Sequence, residues 1–215
     1  MPSILDDPKS YYAEAFRTIK TNIKYSSADK HKKVILVTST EAGEGKSTIS
    51  SNLALSLSQD NKKIVIVDGD LRKPSIHKQF RISGSSAGLT EVLIGEQSLS
   101  SVKFKINPYL DAITSGHIPP NPAELLASEE MEKLIKNLKE EYDYVIIDTN
   151  PIGLVADAQI LSSKVDGVIL VARYEKTKKE NLFNCKKMID QVGGNTIGVV
   201  LNGIDEKKGK YYYYY

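Results

Sequence analysis

Val34-Ile35-Leu36-Val37-Thr38-Ser39-Thr40-Glu41-Ala42-Gly43-Glu44-Gly45-Lys46-Ser47-Thr48 passes from four apolar residues through two glycines to a Lys-Ser pair. A short apolar run rich in β-branched residues reads as a strand buried on both faces. Beyond Thr48, Leu53, Leu55 and Leu57 belong to a helical stretch over residues 46–59. Strand, glycine loop, Lys-Ser and helix in that order are the context of a phosphate-binding P-loop. Gly43 and Gly45 let the backbone curl so that its N–H groups converge on phosphate oxygens. Lys46 adds a cation for the β and γ phosphates, and Ser47 offers a hydroxyl to magnesium. The helix contributes the positive end of its dipole. Nucleotide contacts are expected from Gly43, Glu44, Gly45, Lys46, Ser47 and Thr48. One departure is Thr40, which opens the loop where the general pattern has glycine.

Outward from this unit, further apolar runs occur at Ile64-Val65-Ile66-Val67, Tyr144-Val145-Ile146-Ile147, Val168-Ile169-Leu170-Val171 and Ile197-Gly198-Val199-Val200-Leu201. Helical patterns over 122–140, 156–163 and 177–192 separate them. That alternation predicts an α/β fold: a doubly wound, mostly parallel sheet with crossover helices. A weaker strand is expected near residues 110–114, and 72–108 reads as loops with short helices. Ahead of the first strand, Tyr12, Phe16, Ile19 and Ile23 follow helical spacing within residues 9–26. Residues 1–204 are therefore expected to form one P-loop domain preceded by its own helix, with 205–215 as a flexible tail.

The strand at Ile64 to Val67 ends in Asp68-Gly69-Asp70-Leu71-Arg72, and the strand at Tyr144 to Ile147 ends in Asp148-Thr149. Ligands of open α/β sheets bind at the carboxyl ends of strands. Asp148 is the expected magnesium partner, acting through a bridging water or from outside the inner coordination sphere. Asp68 and Asp70 add two carboxylates beside the γ-phosphate, one of them able to accept a proton from an attacking hydroxyl. Both also suit a plain turn, since Asp is favoured there. Arg72 either steadies phosphate charge or pairs with these acids.

With 215 residues, 29 basic and 27 acidic side chains and a formal charge of +2, the chain has no dedicated nucleic-acid surface. Cys185 stands alone, excludes an internal disulfide and reads as a small core residue. No apolar run reaches the ~18 residues of a membrane helix, so a cytoplasmic location is expected. His31, His77 and His117 lack metal-ligand spacing. The chain ends in Tyr211, Tyr212, Tyr213, Tyr214 and Tyr215. Phenols at an exposed terminus look like a substrate rather than a core, and the run alone equally suits a merely sticky aromatic tail.

The combination of Asp68-Gly69-Asp70-Leu71-Arg72-Lys73-Pro74, the P-loop, Asp148, Gly116-His117-Ile118-Pro119-Pro120-Asn121-Pro122-Ala123-Glu124-Leu125-Leu126 and the tyrosine run resembles the cytoplasmic catalytic domain of bacterial tyrosine kinases. These are P-loop enzymes of capsule and exopolysaccharide synthesis. The resemblance implies ATP and Mg2+ as cofactors, with Lys46 and Ser47 as phosphate and magnesium residues. It makes Asp68 the candidate base and Asp70 and Asp148 the metal-shell acids, with Lys46, Asp68, Asp70 and Asp148 as the catalytic set. Tyr211 to Tyr215 become phosphoacceptors, modified in trans within a ring-shaped homo-oligomer such as an octamer. Glu14, Arg17 and Lys20 become the oligomerisation motif, although the family usually has arginine at the last position; Glu14 with Arg17 equally suits a solvated i,i+3 helix pair. Asn202 would sit where related ATPases contact adenine, or in an ordinary strand-end turn. Implied partners are a membrane-embedded activator with a cytoplasmic docking segment, which recruits the kinase to the inner membrane face, further protein tyrosine substrates and a cognate phosphatase. No nucleic acid is expected. Asn150 departs from the family, which commonly has two prolines after the threonine. The rival reading is a partition or positioning ATPase, but Glu41 stands where those relatives carry an extra lysine.

Overall fold

The computed structural model describes residues 4, 7, 9–26, 32–83 and 87–204. In chain order the elements are α1 (Tyr11–Tyr25), β1 (Val34–Ser39), α2 (Lys46–Ser58), β2 (Ile64–Asp68), α3 (Ile76–Gln79), α4 (Leu89–Leu93), β3 (Lys103–Asn107), β4 (Leu110–Ile113), α5 (Pro122–Ala127), α6 (Glu129–Glu141), β5 (Tyr144–Asp148), α7 (Asp157–Ser162), β6 (Gly167–Arg173), α8 (Lys179–Gln191) and β7 (Thr196–Asn202). The strands form one sheet in the order β3-β4-β2-β5-β1-β6-β7. Every pairing is parallel except β3 with β4.

Alternation along each strand divides the core in two. Leu36, Val65, Val67, Val145 and Ile147 face Leu134 and Leu138 of α6, Leu161 of α7 and Ile189 of α8. Ile35, Val37, Ile64, Ile66 and Ile146 face Phe16 of α1 and Leu53 and Leu57 of α2. Fully burying such side chains stabilises by about 1.5–3 kcal/mol each, which accounts for the central strands being apolar on both sides. Cys185 lies in the first of these layers, 3% exposed, and burial pushes its thiol pKa up. No helix among the described residues is long and apolar enough to cross a membrane.

Two segments differ from the sequence expectation. The helix expected over 122–140 is broken at Ser128, whose extended backbone and hydroxyl, 3.3 Å from the Met131 N–H, cap a new helix. Serine followed by Glu129, Glu130 and Glu132 is a helix start, because the side chains serve the free N–H groups and the dipole. Residues 72–108 contain α3, α4 and a 3₁₀ turn (Leu99–Val102) as expected, but also the edge strand β3. There Lys103 and Lys105 alternate with Phe104 and Ile106, as suits a strand with one wet edge.

α1 starts at Ser10, whose hydroxyl accepts from the Ala13 N–H at 3.2 Å. It packs on α2 through Phe16, and Lys20 meets Asp60, just beyond α2, at 2.8 Å. The tyrosine run, Lys207, Lys208 and Lys210 lie outside the described residues, as does His31.

Candidate active site

The parallel register sets Asp148 level with Val37 of β1 and with Asp68 of β2. β2 and β5 thus end together, β1 runs two residues further to Ser39, and the loop from β1 into α2 follows. Gly43 and Gly45 take φ of +82° and +96°, the left-handed region that glycine enters without penalty. A Cβ at Gly45 would lie 2.1 Å from Asn202 Nδ2. Asn202, at the end of β7, donates through that nitrogen to the Glu44 carbonyl at 2.8 Å, so the last strand braces the loop. It also lines a cleft of about 300 Å³ between α1 and the end of β7.

Glu44 itself turns inward. Its carboxylate accepts the Thr40 N–H at 2.7 Å, the Thr40 hydroxyl at 2.8 Å, the Glu41 N–H at 3.0 Å and the Thr177 hydroxyl. The residue is 5% exposed, so only its backbone faces outward from the loop. The threonine at position 40 is explained by this bonding: a glycine would lack the hydroxyl that Glu44 accepts from.

Lys46 Nζ lies 3.1 Å from Asp70 Oδ2, 3.9 Å from Asp148 Oδ2 and 3.3 Å from the Ser47 hydroxyl. Burial works against the ammonium, but Asp148, Asp70 and Asp68 together hold its pKa above the ordinary value. Asp148 is fully buried, and burial raises its pKa against the opposing pull of Lys46. Its Oδ1 accepts the Ser50 hydroxyl at 2.8 Å, while Oδ2 has no hydrogen-bond partner among the described residues. A buried carboxylate oxygen that accepts no hydrogen bond is costly. Beside a lysine, a P-loop hydroxyl and a second acid, it fits the hard-oxygen shell of magnesium, with Ser47 and Asp70 close by.

Asp68 Oδ2 accepts the Ser75 and Ile76 N–H groups, both at 2.9 Å, and Oδ1 accepts the Asp70 N–H at 3.3 Å. Burial and the neighbouring Asp148 raise its pKa to about 7, despite those N–H groups. Oδ2 is thereby committed to shaping the 68–76 loop, and Oδ1 is the oxygen with spare lone pairs.

Sequence reasoning missed Asp157. This buried carboxylate holds the Arg72 guanidinium by two bonds, Nε at 2.8 Å and Nη2 at 3.0 Å, and also accepts from Asn150 Nδ2 at 2.6 Å. Arg72 therefore pairs with an acid 85 residues away rather than with Asp68 or Asp70. Locally Asp157 only looks like a first-turn helix acid, and nothing in its neighbourhood predicts the pairing.

A family model described as an AAA domain matches residues 32–196. The tyrosine-protein kinase YwqD of Bacillus subtilis is 42% identical over 212 residues, covering 98% of this chain and 89% of that protein. The chain belongs to the bacterial tyrosine kinases. CpsD, a tyrosine-protein kinase of Streptococcus agalactiae, is 39% identical across 92% of this kinase and 86% of its own length. The crystal structure of the chimerical protein CapA2B2 superimposes with a TM-score of 0.89 at 37% identity, covering 94% of this chain and 89% of that one. The kinase domain of Escherichia coli ETK gives 0.91 at 31%, covering 95% and 80%. The septum site-determining protein MinD of Pyrococcus horikoshii, at 23% identity and a TM-score of 0.68 over 82% of this chain and 73% of that one, shares the fold.

In this tyrosine kinase, Glu14 and Arg17 form an ion pair with each other on the exposed face of α1. Lys20 of the same helix is engaged by Asp60. Asn150, the departure from the double-proline pattern, is one of the two anchors of Asp157.

Proposed function

We propose that this chain is an ATP- and magnesium-dependent tyrosine kinase that phosphorylates the terminal tyrosines 211–215 of a neighbouring copy within a ring. The observation that carries this reading is Lys46 set between Asp70 and Asp148 at the rim of a glycine loop, with Asp148 Oδ2 in ion-pair range of Lys46 but accepting no hydrogen bond from the described residues. Kinase chemistry is mainly positioning and charge stabilisation. Lys46 exchanges Asp70 for the β and γ phosphates, and the N–H groups of the loop hold the remaining oxygens. Magnesium, when bound beside Ser47, Asp70 and Asp148, spreads positive charge over the transferring group. Asp68 accepts the phenolic proton as the tyrosine oxygen bonds to the γ-phosphorus and the bond to the β-phosphate oxygen breaks, leaving ADP. A carboxyl with pKa near 7 suits that task, because general bases work best near the ambient pH. Asn202 borders the adenine.

Glu14, Arg17 and Lys20 serve the contacts between copies, and a membrane-embedded activator recruits the kinase to the inner membrane face. Capsule or exopolysaccharide synthesis is the process regulated, with other protein tyrosines as further substrates and a phosphatase as the reset. Each phosphate adds about −1.5 to −2 charges near neutral pH, so a fully modified tail outweighs the +2 of the chain. Phosphorylation is then expected to loosen the ring, read as a fall in mass by light scattering that phosphatase reverses.

The test is a mixture of a Lys46→Met chain with its tail intact and an active chain lacking 211–215. Phosphotyrosine on the Lys46→Met chain is expected; an unlabelled tail under assembly conditions refutes transfer between copies. A partition-type ATPase without kinase activity would hydrolyse ATP and yield no phosphotyrosine in either chain.

A further inference from the structure

Residues 116–126 carried part of the family resemblance and have no role in the site described above. They form one wall of a cavity of about 540 Å³ whose other wall is α4 and the turn after it, a size typical of ligand clefts at about 300–1,000 Å³. Ile94 and Ile118 stand exposed at its rim, at 49% and 65%. Glu96 and Glu124 bring two exposed carboxylates, and among the described residues no lysine or arginine lines the cavity. Glu91 is structural: although burial pushes it up, the Gly88 N–H at 2.6 Å and the His117 ring at 2.8 Å hold its pKa below the usual value. Thr90, also lining the cavity, is 4% exposed and its hydroxyl has no hydrogen-bond partner among the described residues. Acidic, apolar and partly unsatisfied, this wall is built for a ligand with cations and rings.

Its position narrows the choice. β4 pairs with β2 so that Val67 faces Ile113, which sets Asp68 beside Thr114. Ser115, Gly116 and His117 follow directly, and the Thr90 N–H bonds to the Ser115 carbonyl at 2.9 Å. From the chain leaving β4 to Asp148 is two strand spacings, about 10 Å, which roughly three residues of extended peptide cover. In the sequence, Lys207, Lys208 and Lys210 immediately precede and abut the five tyrosines.

We infer that this cavity is the docking site for the lysine-tyrosine segment of a second copy. The lysines pair with Glu96 and Glu124, a tyrosine ring packs on Ile94 and Ile118, and a following tyrosine reaches the phosphates beside Lys46. The inference rests on the kinase reading above. It makes the substrate class explicit: tyrosines preceded within a few residues by lysines.

The experiment uses the full chain and two peptides, one with the sequence 206–215 and one with Glu replacing Lys207, Lys208 and Lys210. With Glu96→Lys/Glu124→Lys, KM for the first peptide rises about tenfold at low salt, an effect that shrinks at ~1 M salt. The glutamate peptide regains the lost affinity on the variant but not on the wild type. Fluorescence anisotropy of a labelled 206–215 peptide with Phe in place of every Tyr reads docking without catalysis and shows the same ordering, with the thermal midpoint as folding control. Unchanged KM and unchanged anisotropy in the double variant overturn the docking site. If the wild type phosphorylates neither peptide, the kinase reading fails, while the anisotropy still decides the cavity on its own.

Discussion

Replacing Asp68 by asparagine separates the two things this carboxyl does, and the two effects have opposite signs. The folded pKa of about 7 lies well above the ordinary 3.8. The folded chain therefore binds this proton more tightly than the unfolded chain does. The resulting stabilisation is full below about pH 4 and is lost as the pH climbs through 7. A shift of about three units corresponds to about 4 kcal/mol at pH 8. Asparagine carries no charge, and its oxygen still accepts the Ser75 and Ile76 N–H groups. Its amide nitrogen loses the 3.3 Å contact from the Asp70 N–H, worth about 1 kcal/mol. Asp68→Asn is thus expected to stabilise the chain by about 3 kcal/mol at pH 8, roughly 6–12 °C in thermal midpoint for a chain of this size. The gain vanishes between about pH 4 and 5 and turns into a loss of about 1 kcal/mol at lower pH, where only the lost Asp70 contact remains, while phosphotyrosine formation is abolished. The assay is paired urea and thermal unfolding at both pH values in magnesium-free buffer. A variant less stable than wild type at pH 8, or an offset independent of pH, refutes the reasoning.

Wild-type kcat/KM for tyrosine transfer should rise with pH through about 7, the range in which Asp68 becomes a free base, and the pH-rate profile checks it. Lys46→Met leaves Asp70 and Asp148 without their cation and should cost about 2–4 kcal/mol at pH 8 by urea unfolding, besides eliminating kinase activity. Asp157→Ala strips Arg72 and Asn150 of a shared partner and should cost about 2–3 kcal/mol, against about 1 for Asn150→Ala; equal costs would show that the arginine pairing contributes little. Gly45→Ala should lower the thermal midpoint more than Gly43→Ala. Both lose a left-handed glycine, but only at position 45 does the new methyl collide with Asn202.

The nucleotide loop and the central sheet are legible because their signals are local. β-branched runs specify the strands, and Gly43, Gly45 and Lys46 carry the loop in consecutive positions. α1 is readable from Tyr12, Phe16, Ile19 and Ile23 for the same reason. What the sequence hides is of two kinds. β3 and the break at Ser128 have local signals, alternating lysines and a serine cap, that a longer helical or loop-like pattern overwrote. The Arg72–Asp157–Asn150 cluster and the Thr177 bond to Glu44 have none, since their members meet only when distant strand ends come together. Asn150 looks like a local variation on a proline and turns out to be a ligand of a buried acid.

The inward carboxylate of Glu44 gives the loop a rigidity that exists before any substrate arrives. A glycine-rich segment left to itself would sample many shapes, and ordering it would cost about 1–2 kcal/mol per residue at the moment of binding. Here Thr40, Glu41 and Thr177 have already fixed its outline through one side chain. Capture of phosphate should then behave as entry into a standing mould, with a small ordering entropy and little dependence of the association rate on loop motion. Substituting Glu44 would return that cost to the binding step, so the loss would appear in the entropy of association measured by calorimetry rather than in its enthalpy.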